Sequence, residues 1–425
     1  MAEKNNWIKE TIQKNKEKYI QYLLKLASID THDIGHGIDG GLEADGQKYL
    51  MSLFADMKAN DIEKDDMNEE SIRKCHELYH EGNLGHNYDN RFNVYATFQG
   101  ESKKSLMFNG HIDHMPADNE NAWVIPPLQP KVIEDRITGL GIDDMKAGLM
   151  AGIMAVMVFQ DAGKKLPLTV KYASVCDEEG GGNGSLCAAM SGVKADGVVV
   201  CEPTNYELIV AHMGWVFFKV EVEGIAVHSG LKLAGVNAID KAYLLMDAID
   251  KLEHRWLLQY KHPLLPPPSS NVGVIYGGEA GSTVPDYCCF KTCVHYQPGM
   301  TYDQVVKEYT DAIMLRCEGD EWLKTHKPKI SVYQTGNPFE MDVTHPLVDA
   351  FKEAYYNARH KEVKLVGSPA GCDSRTWHNI VGCPTLQYGP GALEQSHAVN
   401  EYVTVDQYLT AIEIYANLIL TWSNK

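Results

Sequence analysis

The chain has 425 residues, of which 44% are hydrophobic and 23% are charged, a balance typical of globular proteins. Because a single hydrophobic core stops growing at about 250 to 300 residues, this length predicts two domains. The 39 basic and 57 acidic residues give a net charge of −18, which repels phosphate backbones and anionic membrane surfaces. We therefore expect no nucleic acid partner and no membrane partner.

Three features of the sequence predict the cellular location of the protein. The first thirty residues place Lys and Glu between apolar residues at helical spacing, which predicts an amphipathic helix and not a signal peptide. The longest apolar run, residues 147–159, is shorter than the roughly 18 to 20 residues that span a bilayer. The ten cysteines lack Cys-x-x-Cys spacing and are interpreted as reduced thiols. These features predict a soluble, cytoplasmic protein.

Apolar runs that end in glycine or polar residues predict the buried strands of an α/β sheet. A helical stretch rich in Ala, Met and Leu, 145–159, lies between the first two runs, and this alternation predicts a mixed or mainly parallel sheet. The acid-rich segment 56–90 is predicted to form a surface helix flanked by loops. The predicted strands lie at residues 106–108, 168–175, 197–200 and 385–388.

The middle of the chain predicts a second, smaller domain with the element order β-α-β-β-α-β. Because α/β strands lie on both sides of this segment, it is most simply an insertion into the larger domain. We predict a larger domain formed by residues 1–212 and 338–425, with residues 213–337 inserted. Within the insertion, strands are expected at 216–223, 272–276, 288–296 and 329–333, and helices at 237–257 and 302–315.

Residues able to bind metal or to move protons follow the predicted strands. His111 and Asp113 leave the first strand on the same side, where a carboxylate can orient an imidazole. Glu178 and Glu179 belong to three consecutive acids after strand 168–175, an arrangement that needs a cation or protons to neutralise it. Glu202 directly follows the next strand. The plainer alternatives are a hydrogen-bonded surface pair, an exposed acidic loop and a turn cap.

Two further candidates complete this set. Asp144 precedes helix 145–159, where capping of the helix N-terminus is the alternative, and His397 follows a Gly-Pro-Gly turn. All of these groups are expected in the crevice beyond the carboxyl ends of the strands. Mixed His and carboxylate ligands suit zinc or a neighbouring divalent metal, and the number of groups suffices for two metals and an unliganded base.

Short motifs spread along the chain resemble those of one family of hydrolases. They are GHID (110–113), DMK (144–146), DEEG (177–180), EPT (202–204), VHSG (227–230) and GPG (389–391), followed by His397 and NEY (400–402). Together they closely resemble the dinuclear-zinc amidohydrolase and metallopeptidase family of acetylornithine deacetylase, succinyl-diaminopimelate desuccinylase, aminoacylase and glutamate carboxypeptidase. The resemblance implies a zinc-peptidase-like α/β catalytic domain with an inserted ferredoxin-like domain that serves as a lid and dimerises.

The resemblance also implies a role for each metal-ligand candidate. His111 and Glu202 would bind one metal, Glu179 and His397 would bind the other, and Asp144 would bridge both. The expected cofactors are two divalent ions per chain, most simply zinc, with cobalt or manganese as alternatives.

Three more residues are implied in catalysis. Asp113 would orient His111, and Glu178 would be the general base that takes a proton from a water between the metals and returns it to the leaving amine. His228, on the inserted domain, would cross the interface of a homodimer to stabilise the tetrahedral oxyanion. The alternative for His228 is an ordinary surface histidine.

The substrate is harder to predict. In the family that the chain resembles, Glu at the position of Glu202 is general in deacylases and carboxypeptidases. Arg375 and Asn271 are expected to bind substrate, Arg375 through a carboxylate, with a structural ion pair as the alternative for Arg375. Cys372 and His295 depart from the family pattern, which has Thr at the first position and often Arg at the second.

We predict a metal-dependent amidohydrolase that cleaves the amide bond of an N-acyl amino acid or a related small N-acyl compound, as a deacetylase does. A carboxypeptidase or dipeptidase, and a deformylase acting on a heterocyclic formamide, are the alternatives within the class. A non-catalytic metal-binding or ligand-binding relative has no need of an unliganded acid such as Glu178. A two-metal phosphatase would need a basic cluster for phosphate near these strands, and the sequence shows none.

Overall fold

The computed structural model describes residues 6–117 and 119–425, which form two compact units. The larger unit comprises the chain up to Val210 together with Met341–Val366 and Cys372–Lys425. The inserted unit comprises Ala211–Glu340 and Gly367–Gly371. The first five residues of the predicted N-terminal helix lie outside the described residues.

The elements follow one another along the chain in three stretches. The first contains α1 (Asn6–Ala27), β1 (Asp33–Ile34), β2 (Gly40–Gly41), α2 (Ala44–Asp56), β3 (Asp61–Asp66), α3 (Glu69–Tyr79), β4 (Phe92–Phe98), β5 (Ser102–His111), β6 (Lys131–Ile133), β7 (Arg136–Thr138), α4 (Ala147–Asp161), β8 (Leu168–Val175), α5 (Asn183–Met190), β9 (Val198–Val200) and β10 (Leu208–His212). The second contains β11 (Gly214–Glu223), β12 (Val227–His228), α6 (Ala238–Gln259), β13 (Ser269–Gly277), β14 (Thr283–Val284), β15 (Tyr287–Tyr296), α7 (Tyr302–Glu318), β16 (Lys329–Gly336) and β17 (Phe339–Glu340). The third contains α8 (Pro346–Arg359), β18 (Leu365–Ser368), β19 (Thr385–Gln387), β20 (Tyr402–Thr404) and α9 (Val405–Ser423).

The larger unit is built on a mixed sheet with the strand order β10-β19-β9-β5-β8-β4-β3. The four central strands β19, β9, β5 and β8 are parallel, whereas β10, β4 and β3 add antiparallel pairs at the two sides. This arrangement confirms the predicted α/β sheet. Its parallel centre brings the carboxyl ends of β5, β8 and β9 together at one edge.

Helix α4 is the centre of the core of the larger unit. Every residue from Ala147 to Phe159 is buried, as expected of a helix that is apolar on all sides, and it packs against α1 and α9. Gly148 lets this helix approach the sheet, because a Cβ atom at this position would lie 1.8 Å from the backbone carbonyl oxygen of Cys201. The position of α4 matters for the site because the turn that precedes it carries Asp144.

The acid-rich segment 56–90 differs from its prediction. It contains helix α3, as expected, but also strand β3, which pairs antiparallel with β4 at the edge of the sheet. The residues of β3 are exposed or half-buried, so the strand lacks the apolar alternation from which strands are recognised in a sequence. Pairing with β4, and not its own composition, makes this segment extended.

The inserted unit has the predicted β-α-β-β-α-β order in β11, α6, β13, β15, α7 and β16, with short added strands. Its antiparallel sheet has the order β13-β15-β11-β16. Side chains of β11 such as Val216, Phe218 and Val220 form its core with Leu245 and Trp256 of α6. The edge strand β13 is different, because its apolar side chains are largely exposed.

No helix in the described part of the chain combines the length and the apolar character that crossing a bilayer requires.

Gly148→Ala is expected to lower the free energy of unfolding by about 1–3 kcal/mol, because the added methyl group overlaps the carbonyl of Cys201 and forces α4 away from β9. Gly281→Ala is the matched control, since a Cβ atom there meets no heavy atom within 4 Å. Chemical denaturation of both variants measures the difference. Equal stabilities would show that the contact between α4 and the sheet adapts without loss.

Candidate metal centre

The ends of three neighbouring parallel strands bring the candidate residues together. His111 is the last residue of β5, and Glu178 and Glu202 follow β8 and β9 by a few residues. Strand β5 pairs with both β8 and β9, so the three chain segments emerge side by side. The crevice that the sequence predicted at this edge therefore holds an imidazole and several carboxylates.

Two groups of three side chains have the geometry to hold a metal ion, and they share Asp144. One consists of His111, Asp144 and Glu202, and the other of Asp144, Glu179 and His397. Within each group the potential ligand atoms all lie within 4.8 Å of one another. These are the five residues that the sequence predicted as ligands, in the same two sets.

Distances between the candidate ligand atoms define the two groups more closely. His111 Nε2 lies 3.0 Å from Asp144 Oδ1 and 4.0 Å from Glu202 Oε1. His397 Nε2 lies 3.0 Å from Glu179 Oε2 and 3.5 Å from Asp144 Oδ2. The Asp144 carboxylate thus turns one oxygen to each histidine, as a bridging ligand would.

The electrostatics of the centre reflect an excess of buried acid. Burial raises the pKa of Glu202 well above its usual range, and the charge of Asp144 raises it further. Burial likewise raises the pKa of Glu179, again with a contribution from Asp144. The hydrogen bond to Glu179 raises the pKa of His397 to about 9. Such a site favours bound positive charge, whether protons or a cation.

Glu178 and Glu179 leave β8 through a turn with unusual backbone geometry. Asp177, which precedes them, has a left-handed φ of 61°, and its side chain is fully buried. The backbone N–H of Glu179 donates a hydrogen bond of 3.0 Å to Asp113 Oδ2. Burial raises the pKa of Glu178 well above its usual range, although His111 opposes this shift. Glu178 therefore lies beside the two metal groups without belonging to either.

Asp113 is placed differently from the expectation that its carboxylate orients His111. His111 Nδ1 lies 3.0 Å from the backbone carbonyl oxygen of Asp113, a hydrogen bond, and 3.7 Å from its carboxylate oxygen Oδ1. The Asp113 carboxylate instead accepts the hydrogen bond from Glu179. It connects the turn after β8 to the end of β5.

Arg91 is a residue of this region that the sequence reasoning missed. Its Nε donates to both carboxylate oxygens of Glu43, at 3.0 and 3.2 Å, and its terminal NH2 group donates to Asp177 Oδ1 at 3.1 Å. Asp33 lies 3.6 Å from the same group, and all four side chains are fully buried. The partners of Arg91 are far apart in the sequence, so no local motif predicts this network.

Arg375 does not have the surroundings expected of a residue that binds a substrate carboxylate. It is 1% exposed, and its Nε donates to Glu81 at 2.9 Å. Its two terminal nitrogens donate to the backbone carbonyl oxygens of Cys372 and Gly181, at 2.7 and 2.8 Å. This geometry favours the structural ion pair over substrate binding. Arg375 holds the Gly181 side of the turn that carries Glu178 and Glu179.

The other two predicted functional residues belong to the inserted unit. His228 is exposed, and its Nδ1 accepts a hydrogen bond of 3.1 Å from the backbone N–H of Gly230. Because Nδ1 is an acceptor, Nε2 carries the proton of the neutral ring and is a donor. Asn271 is exposed on the edge strand β13.

The two departures from the family pattern occupy defined environments. Cys372 is buried, and its thiol donates to Gln387 Oε1 at 3.2 Å. A small hydrogen-bond donor is retained there, because a Thr hydroxyl would offer the same type of group. His295, on β15 of the inserted unit, lies with Nε2 3.4 Å from the sulfur of Cys293, and burial lowers its pKa.

A cavity of about 180 Å³ opens beside the second metal group in the larger unit. Its polar lining includes Asp144, Glu179 and His397, and no Lys or Arg lines it among the described residues. His114 and Glu401 also line the cavity, and the rest of the wall is mainly apolar, including Met115, Pro116, Ala117, Trp123, Leu140 and Val399. The cavity therefore combines polar groups on the metal side with an apolar wall.

The sequence matches the profile of peptidase family M20/M25/M40 over residues 107–421. It is 29% identical over 360 residues to N-formyl-4-amino-5-aminomethyl-2-methylpyrimidine deformylase of Halalkalibacterium halodurans, which covers 79% of this chain and 84% of the relative. It is also 29% identical over 339 residues to acetylornithine deacetylase of Edwardsiella ictaluri, which covers 78% of this chain and 84% of the relative.

A solved structure with a similar fold is that of a di-peptidase of Saccharomyces cerevisiae. The two superpose with a TM-score of 0.76 over 100% of both chains, at 16% sequence identity. This likeness concerns the fold alone, and it confirms the predicted architecture.

Arg91→Met is expected to destabilise the larger unit by about 3–5 kcal/mol, because it leaves the buried carboxylates of Glu43 and Asp177 without their cation. Arg73→Met, at an exposed position of α3, is the control for loss of an arginine. Urea denaturation of both variants measures the difference in unfolding free energy. A loss below 1 kcal/mol for Arg91→Met would contradict the inferred role of this network.

Proposed function

The chain belongs to peptidase family M20/M25/M40, and from this premise we propose that it is a metal-dependent hydrolase that cleaves the amide bond of a small N-acyl compound. The observation that carries the proposal is the pair of metal groups that share Asp144, with a further half-buried acid, Glu178, beside them. A protein that only bound metal would have no need of Glu178.

Two divalent metal ions fit the residues present. His111, Asp144 and Glu202 would hold one, and Asp144, Glu179 and His397 the other, a mixture of imidazole and carboxylate ligands that suits zinc, with cobalt or manganese as alternatives. When bound, such ions polarise an amide carbonyl and lower the pKa of water. The carboxylates of Asp144, Glu179 and Glu202 lie close together in these two groups, where bound cations would offset their mutual repulsion.

Glu178 is the proposed general base. It would take a proton from the attacking water and deliver it to the nitrogen of the leaving amine, so that the C–N bond breaks as the carboxylic acid forms. Asp113 and Arg375 support the turn that holds Glu178, through the hydrogen bonds to Glu179 and Gly181.

His228 is proposed to donate from Nε2 to the oxyanion that develops on the amide carbonyl, in the site of a partner subunit. The observed hydrogen bond from Gly230 to Nδ1 supports this role, since it leaves Nε2 as the donor. A homodimer is proposed through the edge strand β13, where Val272, Val274 and Ile275 expose apolar side chains that a second copy would cover.

The cavity beside the second metal group supports one substrate class within this proposal. Its volume of about 180 Å³, with an apolar wall opposite Glu179 and His397, leaves room for a six-membered ring. An acetylated amino acid would bring a carboxylate, but no Lys or Arg lines the cavity in the part of the chain that the structure describes. Arg375 already binds Glu81. We therefore favour a formamide of a heterocyclic amine over an N-acetyl amino acid. The similarity to the deformylase of Halalkalibacterium halodurans is consistent with this choice.

A carboxypeptidase or dipeptidase is the second candidate. In that case Asn271, which belongs to the inserted unit, would contact the carboxylate of the peptide substrate. This candidate is supported by the family membership. We further propose a cytoplasmic location, since all ten cysteines are free.

A substrate panel tests the proposed function. The zinc-loaded protein is expected to hydrolyse N-formyl heterocyclic and benzylic amines with a kcat/KM at least about tenfold above that for N-acetylornithine or dipeptides, which corresponds to a discrimination of about 1.4 kcal/mol. Release of formate is the direct measurement. Faster turnover of dipeptides would favour the peptidase instead, and activity that persists in Glu178→Gln would indicate a contaminating enzyme.

Substitution of the adjacent acids separates the base from the ligand. Glu178→Gln should retain two metal ions per chain and lose about 10²- to 10⁴-fold in kcat, because it keeps the size of the side chain but removes the proton acceptor. Glu179→Gln should lose one metal ion and recover part of its activity in excess zinc. Metal content and turnover are measured on the same preparations. Loss of metal in Glu178→Gln, or its near-normal turnover, would reverse the assignment.

Mixed dimers test whether His228 serves a partner subunit. Inactive His228→Ala chains mixed with inactive Glu178→Gln chains should restore part of the activity, because one of the two sites in the heterodimer then carries both intact residues. Native mass spectrometry verifies that subunits have exchanged. Verified heterodimers without activity, or a monomer at assay concentration, would contradict a shared site.

A further inference from the structure

Two buried carboxylates, Asp143 and Glu401, lie between the two chain segments that carry Asp144 and His397. Asp143 is 0% exposed and precedes Asp144, whereas Glu401 is 2% exposed and follows His397 by four residues. The metal groups described above contain neither residue. Each carboxylate accepts hydrogen bonds from the segment to which the other belongs.

Asp143 connects the turn before α4 to the segment that leads to His397. Its Oδ1 accepts a hydrogen bond of 2.9 Å from the backbone N–H of Ala392, and its Oδ2 accepts one of 3.2 Å from the hydroxyl of Ser396. Gly391 makes room for this contact, because a Cβ atom there would lie 1.9 Å from Asp143 Oδ1. Ser396 is the residue directly before His397, so Asp143 acts on that ligand's own backbone segment.

Glu401 makes the connection in the opposite direction. Its Oε1 accepts hydrogen bonds from the backbone N–H groups of Asp143 and Asp144, at 2.6 and 3.1 Å. Its Oε2 accepts one of 2.8 Å from the backbone N–H of Gly141. Three backbone N–H groups of the turn that carries the bridging ligand are therefore held by one side chain.

The backbone around these contacts needs such support. Asp144 has φ −116° and ψ 94°, a non-helical conformation within the turn Ile142–Lys146, and His397 has a left-handed φ of 59°. Neither conformation is supported by the regular hydrogen bonds of a helix or strand. The ladder between β20 and β7, which pairs Tyr402 with Thr138, and a hydrogen bond from the Gly139 N–H to the Glu401 carbonyl oxygen anchor the chain at and beyond Glu401.

We propose that Asp143 and Glu401 form a reciprocal clasp that positions His397 against Asp144 and so sets the affinity of the second metal site. The inference rests on the proposed two-metal function. The Asp143 carboxylate is hydrogen-bonded to the His397 segment, whereas the Glu401 carboxylate is hydrogen-bonded to the backbone of Asp144, which belongs to both metal groups. The two residues are positioning residues, and their loss has different consequences for the two metals.

The size of the effect follows from how ligands are held. Groups that orient metal ligands typically change metal affinity about 10- to 100-fold when they are removed. Asp143→Ala removes both bonds to the Ala392–Ser396 segment, and is expected to weaken the His397 site by this factor while changing the His111 site less than about threefold. Asp143→Asn retains the acceptor for Ala392 and places an amide donor near the Ser396 oxygen, so it is expected to restore both affinities.

The experiment is a zinc titration of the metal-free full chain by calorimetry. The binding step that disappears in His397→Ala identifies the second site. Asp143→Ala should weaken that step alone. Glu401→Gln should weaken both steps, because its amide NH2 group would face the Gly141 N–H, and two donors cannot form a hydrogen bond. Glu394→Ala, at an exposed position of the same segment, is the control and should change neither.

The titration separates the failure of this inference from that of the proposed function. Fewer than two bound ions in the unmodified protein would overturn the two-metal function. Two ions in the unmodified protein, with unchanged or equally weakened steps in Asp143→Ala, would overturn the clasp. If Asp143→Ala does not fold, as judged by circular dichroism, Asp143→Ser takes its place, because a serine keeps a polar group but cannot reach Ala392. An unchanged second step in that variant would overturn the clasp as well.

Discussion

The burial of negative charge at the ends of three parallel strands is the constraint on which the rest of the site depends. Asp113 and Glu202 are buried and Glu178 is half-buried, and burial raises the pKa of each carboxyl group. A buried carboxylate is tolerated only where cations or hydrogen-bond donors compensate it. Arg91 and Arg375 provide that compensation on the side of the turn that faces the protein interior. On the side of Asp144 the imidazoles of His111 and His397 oppose the negative charge, and divalent ions held by the same side chains would compensate it more fully.

The same constraint explains the unusual backbone around the site. Asp177 and His397 both adopt left-handed φ values, and each lies in or next to a group of acids. A non-glycine residue in this region of φ/ψ space persists only where its surroundings hold it. The side chain of Asp177 is held by Arg91 and by His86, the latter at 2.8 Å. Charge compensation and backbone geometry are therefore provided by the same contacts.

The elements that place the ligands were predictable because local patterns encode them. Strand β8 spans residues 168–175 as predicted, since its apolar residues and the acids that follow mark both of its ends. Strand β3 could not be recognised, because its polar sequence becomes extended only by pairing with β4. The networks of Arg91 and Arg375 could not be predicted either. Each joins residues distant in the sequence, and a single arginine gives the same sequence pattern whether it binds a substrate or a buried glutamate.

The point at which the inserted unit leaves and re-enters the chain has a consequence for how the protein folds. Ala211 pairs with Glu340, and directly outside them the N–H of Met341 donates to the carbonyl oxygen of Val210 at 2.8 Å. The two ends of the insertion are thus neighbours in space. An unstructured insertion of this length would oppose the meeting of these ends through the entropy of loop closure, but an insertion that has already folded brings them together. An inserted unit that folds on its own therefore lowers the entropic cost of bringing Val210 and Met341 together in the larger unit.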